Sequence, residues 1–367
     1  MNTLDTKSDK EDDFLQERFD EDYLKSWLEP LVKEPISKFK LSKLKGDASD
    51  RSYFRVNYSL RNKNKSSLIV MQLKQPIPSK EPDFNRMQKF LTNLGMPVPT
   101  ILHYDAKRGL IFLEDGGNTH LEDTARKSPD NIIFWYQKAI ELIVVMQTRV
   151  TKEMQPYCPA YTLKFDVEKL MWEMDFMIKH YVKGFLNRKL NQNEELNLRT
   201  ALLALCEPLA EEERVFVHRD FHSRNLMISE QELLLLDFQD ARMGPRQYDL
   251  VSLLKDSYVV LKEKTRNELL VYYLQRMEQE EGRPISPTPF LKVFDWMSVQ
   301  RNLKAIGTFA FQYMENKNER YIEFLKPTLQ YIRDTIDSRP DLKPLGQALK
   351  RVIPELNGNN GEKATRL

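Results

Sequence analysis

The apolar positions of this chain change their spacing about a third of the way along it. Between Phe39 and Asp115 they fall in short runs rich in β-branched and aromatic residues, SYFRVNY, SLIVMQL, TILHYD and GLIFLED, and such runs predict strands. Between the second and third runs, Phe84, Met87, Phe90, Leu91 and Leu94 follow helical spacing, with Gly95 at the expected stop. A small sheet carrying one helix results. Beyond EDGG at 114–117 the period lengthens, and helices are predicted over 131–149, 165–187, 193–211, 247–263, 265–281, 289–315 and 319–337. One interval breaks that series. From Val215 to Asp240 the apolar pieces Val215–Val217, Leu226–Ile228 and Leu233–Leu236 alternate with polar residues, which predicts tight strands and loops. A polar loop wedged between buried strands is where a rigid scaffold presents reactive groups.

The length of 367 residues exceeds what one hydrophobic core usually supports, so two packed units are expected. They are read as an N-terminal lobe over 23–115 and a C-terminal lobe over 116–345, between an acidic mobile leader over 1–22 and a flexible tail over 346–367. The balance of 56 Lys plus Arg against 54 Asp plus Glu leaves no basic footprint, so no nucleic-acid partner is expected. Apolar stretches such as Leu142–Met146 fall far short of the roughly 20 residues that span a bilayer, so no membrane partner is expected either. The opening, MNTLDTKSDKEDDFLQERFDED, has no apolar run of the kind a secretory leader needs, and a cytoplasmic address is expected. Cys158 and Cys206 stand outside any CxxC pair or Cys/His cluster and are read as buried small hydrophobes.

Within the interrupting interval His218, Asp220 and Asn225 form HxDxxxxN, and Asp237 follows in Leu-Asp-Phe. Transfer of a phosphoryl group needs a carboxylate that orients the attacking hydroxyl and accepts its proton, together with hard oxygen ligands for Mg²⁺. Asp220 suits the first role; Asn225 and Asp237 suit the second. His218 is expected to be a structural histidine bracing the loop.

With these residues the chain resembles the aminoglycoside-phosphotransferase-like small-molecule kinases, relatives of the protein kinases that carry HxDxxxxN followed by a metal-binding aspartate. GDASDRSYFRV at 46–56, GMPVPTIL at 95–102, IFLEDGG at 111–117, VHRDFHSRNLM at 217–227, LLDFQDARMGPRQYDLVSLLKDSY at 235–258 and RNLKAIGTFA at 301–310 are similar to the bacterial anomeric cell-wall sugar kinases. The resemblance runs over roughly residues 24 to 340. It implies an α+β, bilobal protein-kinase-like fold, with a small β-rich N-terminal lobe, a large mostly helical C-terminal lobe, and ATP and Mg²⁺ in the cleft. It further implies phosphorylation of the anomeric hydroxyl of N-acetylmuramate or N-acetylglucosamine in peptidoglycan recycling, by a monomer whose partner is that small amino sugar. Two alternatives stay open: an aminoglycoside, choline-like or other small alcohol as acceptor, and a kinase-like binding protein without turnover.

Position by position, Asp220 resembles the catalytic aspartate, Asn225 and Asp237 the magnesium ligands, and Asp249 the structural aspartate behind the catalytic loop. The loop from Gly46 to Ser52 resembles the one that covers ATP phosphates with backbone N–H groups, with Ser49, Arg51 and Ser52 as further donors. The strand SLIVMQLK sets Met71 and Gln72 near the place of the usual phosphate-binding lysine, leaving that cation open between Arg51 and Lys74. DFQ stands where protein kinases carry DFG, so a fixed metal aspartate is expected. At the hinge, the backbone of Glu114 and Asp115 is expected to meet the adenine edge. For the acceptor sugar, His222 and Arg224 are the first candidates, with Arg301 and Lys304, one helical turn apart, the second; the lactyl carboxylate of N-acetylmuramate favours a cation there.

Overall fold

Residues 21–44, 51–61, 65–229 and 232–358 are described by the computed structural model. The chain divides into two units, one of the residues up to Asn85 together with Pro99–Asp115, the other of Arg86–Val98 and the chain from Gly116 onward.

Among the described residues the first unit begins with α1 (Glu21–Val32), followed by β1 (Ile36–Lys43), β2 (Ser52–Leu60) and β3 (Lys65–Gln72). Helix α2 (Asp83–Asn93) precedes β4 (Ile101–Asp105) and β5 (Leu110–Glu114), and the five strands form an antiparallel sheet in the order β1-β2-β3-β5-β4. Strand alternation sends Phe54, Val56 and Tyr58 of β2 to one face, where they join Leu68 and Val70 of β3 and Leu110 and Phe112 of β5. Leu24 and Leu28 of α1 close that core, and Trp27 stacks on His103 at 4.8 Å between ring centroids. Glu21 and Asp22, assigned above to a mobile leader, thus begin a helix. Its apolar pairs at i and i+4 are diluted by charge in the sequence and declare themselves only against the sheet. Strand β1 escaped the sequence reading because it is a half-exposed edge, with Lys38, Lys40 and Lys43 spaced along it.

The N-terminal lobe was expected to run unbroken to residue 115, yet 86–98 packs with the second unit. The sulfurs of Met87 and Cys158 lie 3.7 Å apart, and the Leu235 amide donates to the Pro97 carbonyl at 2.7 Å.

Helices dominate the second unit: α3 (Leu121–Lys127), α4 (Ile132–Val145), α5 (Val167–Met177) and α6 (Gln192–Glu211) lead into its strands. β6 (Arg214–Val217) pairs with β9 (Arg242–Pro245), and β7 (Leu226–Ser229) with β8 (Glu232–Leu235). Then follow α7 (Gln247–Leu254), α8 (Glu263–Glu281), α9 (Pro287–Met314), α10 (Leu325–Ser338) and α11 (Lys343–Val352). The helix expected over 247–263 stops at Leu254, because the Asp256 carboxylate binds the Tyr258 amide at 2.9 Å and closes a turn instead. The tail expected to be flexible from 346 is helical to Val352, with Leu345, Leu349, Val352 and Leu356 buried at helical spacing. Both cysteines are buried. Among the described residues no helix is long and apolar enough to cross a membrane.

Candidate functional site

Strand β6 delivers the chain to His218, and a constrained backbone follows at Arg219 and again at Asp237. Arg219 has φ of 81° and Asp237 has φ of 61°, left-handed conformations that cost a non-glycine residue about 1–3 kcal/mol each unless the surroundings enforce them. The enforcement at Arg219 comes from Asp249 on α7. Its two carboxylate oxygens accept from the His218 amide at 2.6 Å and the Arg219 amide at 3.0 Å. The imidazole of His218 is fully buried, and its Nε2 lies 2.9 Å from the Leu236 carbonyl, tying the loop to the residue before Asp237. Burial pushes the pKa of His218 down, so the ring is neutral, with Nε2 as the donor. A second buried carboxylate, Asp256, accepts from the Ser223 amide at 3.0 Å and its hydroxyl at 2.6 Å. The loop is therefore bolted from behind at two points.

These bolts bring Asp220, Asn225 and Asp237 into one neighbourhood. Asn225 Nδ2 donates to the Asp220 carbonyl at 2.9 Å, which leaves its Oδ1 as the outward oxygen, and the Leu236 amide donates to the Asn225 carbonyl at 2.9 Å. Asp237 is exposed, and one carboxylate oxygen accepts from Gln239 Nε2 at 2.7 Å. A free amide oxygen and a second carboxylate oxygen are the hard donors that Mg²⁺ takes, and that ion commonly keeps few protein ligands beside water and substrate phosphates. The donor set fits it. Among the described residues no group of three or more His, Cys, Asp or Glu stands ready to cage a metal, and such a site needs none.

Lys304, on α9, reaches Asp220 Oδ1 at 2.6 Å. Burial alone would raise the Asp220 pKa, but the charges of Lys304 and Arg219 outweigh it and hold the carboxyl well below the usual carboxylate range. The group is ionised.

The remaining acceptor candidates divide. His222 packs edge-on to Tyr258 at 5.0 Å, and burial with the nearby Arg301 charge keeps its ring neutral. The Arg224 guanidinium makes a fork to Glu122 at 2.7 and 3.2 Å and lies over the rings of Tyr258 at 3.9 Å and Phe324 at 4.6 Å. It braces α3 against the loop. Arg301 is 4% exposed and donates to Ser252 Oγ at 3.0 Å. Neither Asp256 nor the buried Glu173, which accepts from Gln300 at 3.0 Å and approaches Arg219 at 3.6 Å, was singled out from the sequence. An acidic residue inside an apolar helix pattern was the only available signal.

Of the nucleotide residues expected in the first unit, Gly46 and Ser49 lie outside the described residues. Ser52 opens β2, and Arg51 lines, with Lys74, Pro76 and Asp83, a pocket of about 610 Å³. The two cations left open for the phosphate role thus share one pocket. Glu114 Oε2 accepts from the Thr100 amide at 3.2 Å, and Asp115 pairs with Arg55 at 2.7 Å. Their carboxylates serve the sheet, leaving backbone as what they offer a ligand.

A family profile described as a phosphotransferase enzyme family matches residues 40–284. The N-acetylmuramate/N-acetylglucosamine kinase of Neisseria meningitidis serogroup B is 30% identical over 337 residues, 90% of this chain and 95% of that one. The enzyme of the same name from Pseudomonas aeruginosa is 32% identical over 305 residues, covering 83% and 86%. Among solved structures, the ADP-bound aminoglycoside phosphotransferase APH(2'')-Ib superposes with a TM-score of 0.52 at 15% identity, over 86% of this chain and 99% of the other. A choline/ethanolamine kinase family protein from Mesorhizobium loti superposes with a TM-score of 0.54 at 14% identity, over 85% and 92%. The similarity of fold therefore extends well beyond similarity of sequence.

Proposed function

The chain belongs to the phosphotransferase enzyme family, and on that premise we propose that it is an ATP-dependent kinase of the anomeric hydroxyl of N-acetylmuramate and N-acetylglucosamine. The observation that carries the reading is Asp220, ionised and locked at the mouth of a doubly bolted loop. A carboxylate held so far down is a weak base, so its work is to orient the acceptor hydroxyl and take the proton late, as bond breaking to the leaving phosphate advances. An anomeric hydroxyl suits such a base, because a hemiacetal hydroxyl is more acidic than the others on a sugar. Lys304 occupies one oxygen of Asp220, leaving the other for the acceptor.

Asn225 Oδ1 and the second oxygen of Asp237 are the groups that would hold Mg²⁺. Bound there, the ion supplies neutralisation of the charge on the transferring phosphates. Gly46, Ser49, Arg51 and Ser52 are assigned to the nucleotide phosphates, and the backbone of Glu114 and Asp115 to the base. The proposal includes action as a cytoplasmic monomer in peptidoglycan recycling.

The test is incubation of the purified protein with ATP, Mg²⁺ and each sugar. A sugar 1-phosphate, recognised by release of its phosphate in mild acid, is the expected product. Absence of that product with both sugars, alongside turnover of an aminoglycoside or choline, would sink the proposal.

A further inference from the structure

Arg242, at the start of β9, is 8% exposed, and its Nε is buried without a hydrogen-bond partner. Among the described residues no carboxylate comes within 4.0 Å of its guanidinium, which lies over the Phe165 ring at 5.1 Å. Arginine is rarely buried unless paired, because removing the charge from water is expensive without a counter-ion. The nearest acids are already engaged. Glu173 accepts from Gln300 and faces Arg219, which also approaches Asp240 at 3.9 Å.

The position of Arg242 ties it to the reaction. It pairs with Val217 across the β6–β9 ladder, three residues before Asp220. Its charge acts on Lys169, as do those of Arg219 and Lys304, and the Lys169 ammonium sits 3.8 Å from the Trp172 ring centroid and makes no ion pair among the described residues. Burial pushes Lys169 down to about 8, with the attraction of Glu173 opposing it and the repulsion of Arg219, Arg242 and Lys304 adding to it. Lys304 and Arg219 have acidic neighbours in Asp220, Glu173 and Asp240, whereas Arg242 and Lys169 are two cations with no ion pair among the described residues.

We propose that Arg242, assisted by Lys169, is a specificity-determining residue that binds a carboxylate carried by the acceptor sugar, the group that N-acetylmuramate has and N-acetylglucosamine lacks. The inference rests on the sugar-kinase reading above. A guanidinium fork matches a carboxylate in two parallel hydrogen bonds, and a site built for such a group discriminates strongly against an analogue that leaves it unpaired.

The experiment compares Arg242→Met and Arg242→Lys with the unaltered protein on both sugars. In Arg242→Met, KM for N-acetylmuramate should rise about 10- to 100-fold, with kcat little changed, while KM for N-acetylglucosamine and for ATP moves less than about twofold. Arg242→Lys, which keeps the charge and loses the fork, should fall between. A measurement on the unaltered protein needs no variant: the methyl ester of N-acetylmuramate should show a similar rise in KM. Equal losses on both sugars, a rise confined to ATP, or an ester bound as well as the acid would overturn the assignment while leaving the kinase reading intact. Turnover of neither sugar by the unaltered protein would remove the kinase reading itself.

Discussion

Lys304 and Asp220, 84 positions apart, meet at 2.6 Å in a pair that sets the charge state of the proposed catalytic carboxylate. Because Lys304 is the largest of the charges holding the Asp220 pKa down, Lys304→Met should let it rise. A carboxylate with a depressed pKa stays active as pH falls until it is protonated. In the variant that protonation comes sooner, so the acid limb of the kcat profile should move to higher pH. A profile superimposable on that of the unaltered protein would mean the pair has no bearing on turnover.

Removing the carboxylate itself is harsher. Asp220→Ala should lower kcat by about 10² to 10⁴, the usual contribution of a positioned acid or base. Steady-state kinetics at saturating ATP and sugar read it, and an undiminished rate would shift the catalytic role elsewhere.

Asp249 reaches no substrate in this reading yet holds the loop by two amides. Asp249→Asn replaces one acceptor oxygen with a donor, leaving one buried N–H unsatisfied at about 1–3 kcal/mol. A lower melting temperature together with lower kcat is expected. Loss of kcat at an unchanged melting temperature would point to direct participation instead.

Chelation of divalent ions should abolish turnover, and added Mg²⁺ should restore it. Asp237→Ala should raise the Mg²⁺ concentration needed for half-maximal rate, since one of few protein ligands is gone. If the Mg²⁺ dependence is unaltered, the ion is held by other groups.

Gly307 lets α9 lie directly against α5. A Cβ at this position would stand 2.7 Å from Met177 Cα and 3.1 Å from Met177 N, and backbone atoms cannot swing aside. Gly307→Ala should destabilise the protein by about 1–3 kcal/mol, the usual range for overpacking, read as a drop in the denaturation midpoint. An unchanged midpoint would mean that the two helices separate freely.

Strand alternation, helical spacing and the run from His218 to Asp237 were readable along the chain because each depends on neighbours within a few residues. The pleat of β2 and the helices α6 and α9 arise from such short-range order, whereas the gathering of Asp220, Asn225 and Asp237 also needs the distant carboxylates of Asp249 and Asp256. The helix α1 and the end of α7 were not readable, since a sheet face and the partners of Asp256 decide them. Charged side chains were the least legible of all. Arg301 and Lys304 share a helix turn, yet one donates to Ser252 and the other to Asp220; Arg224 is consumed by Glu122, while Arg242 is left without a counter-charge. Composition and spacing are identical whichever partner a charge finds. Long-range packing alone chooses that partner, because only folding brings distant charges within the few ångströms over which they act strongly.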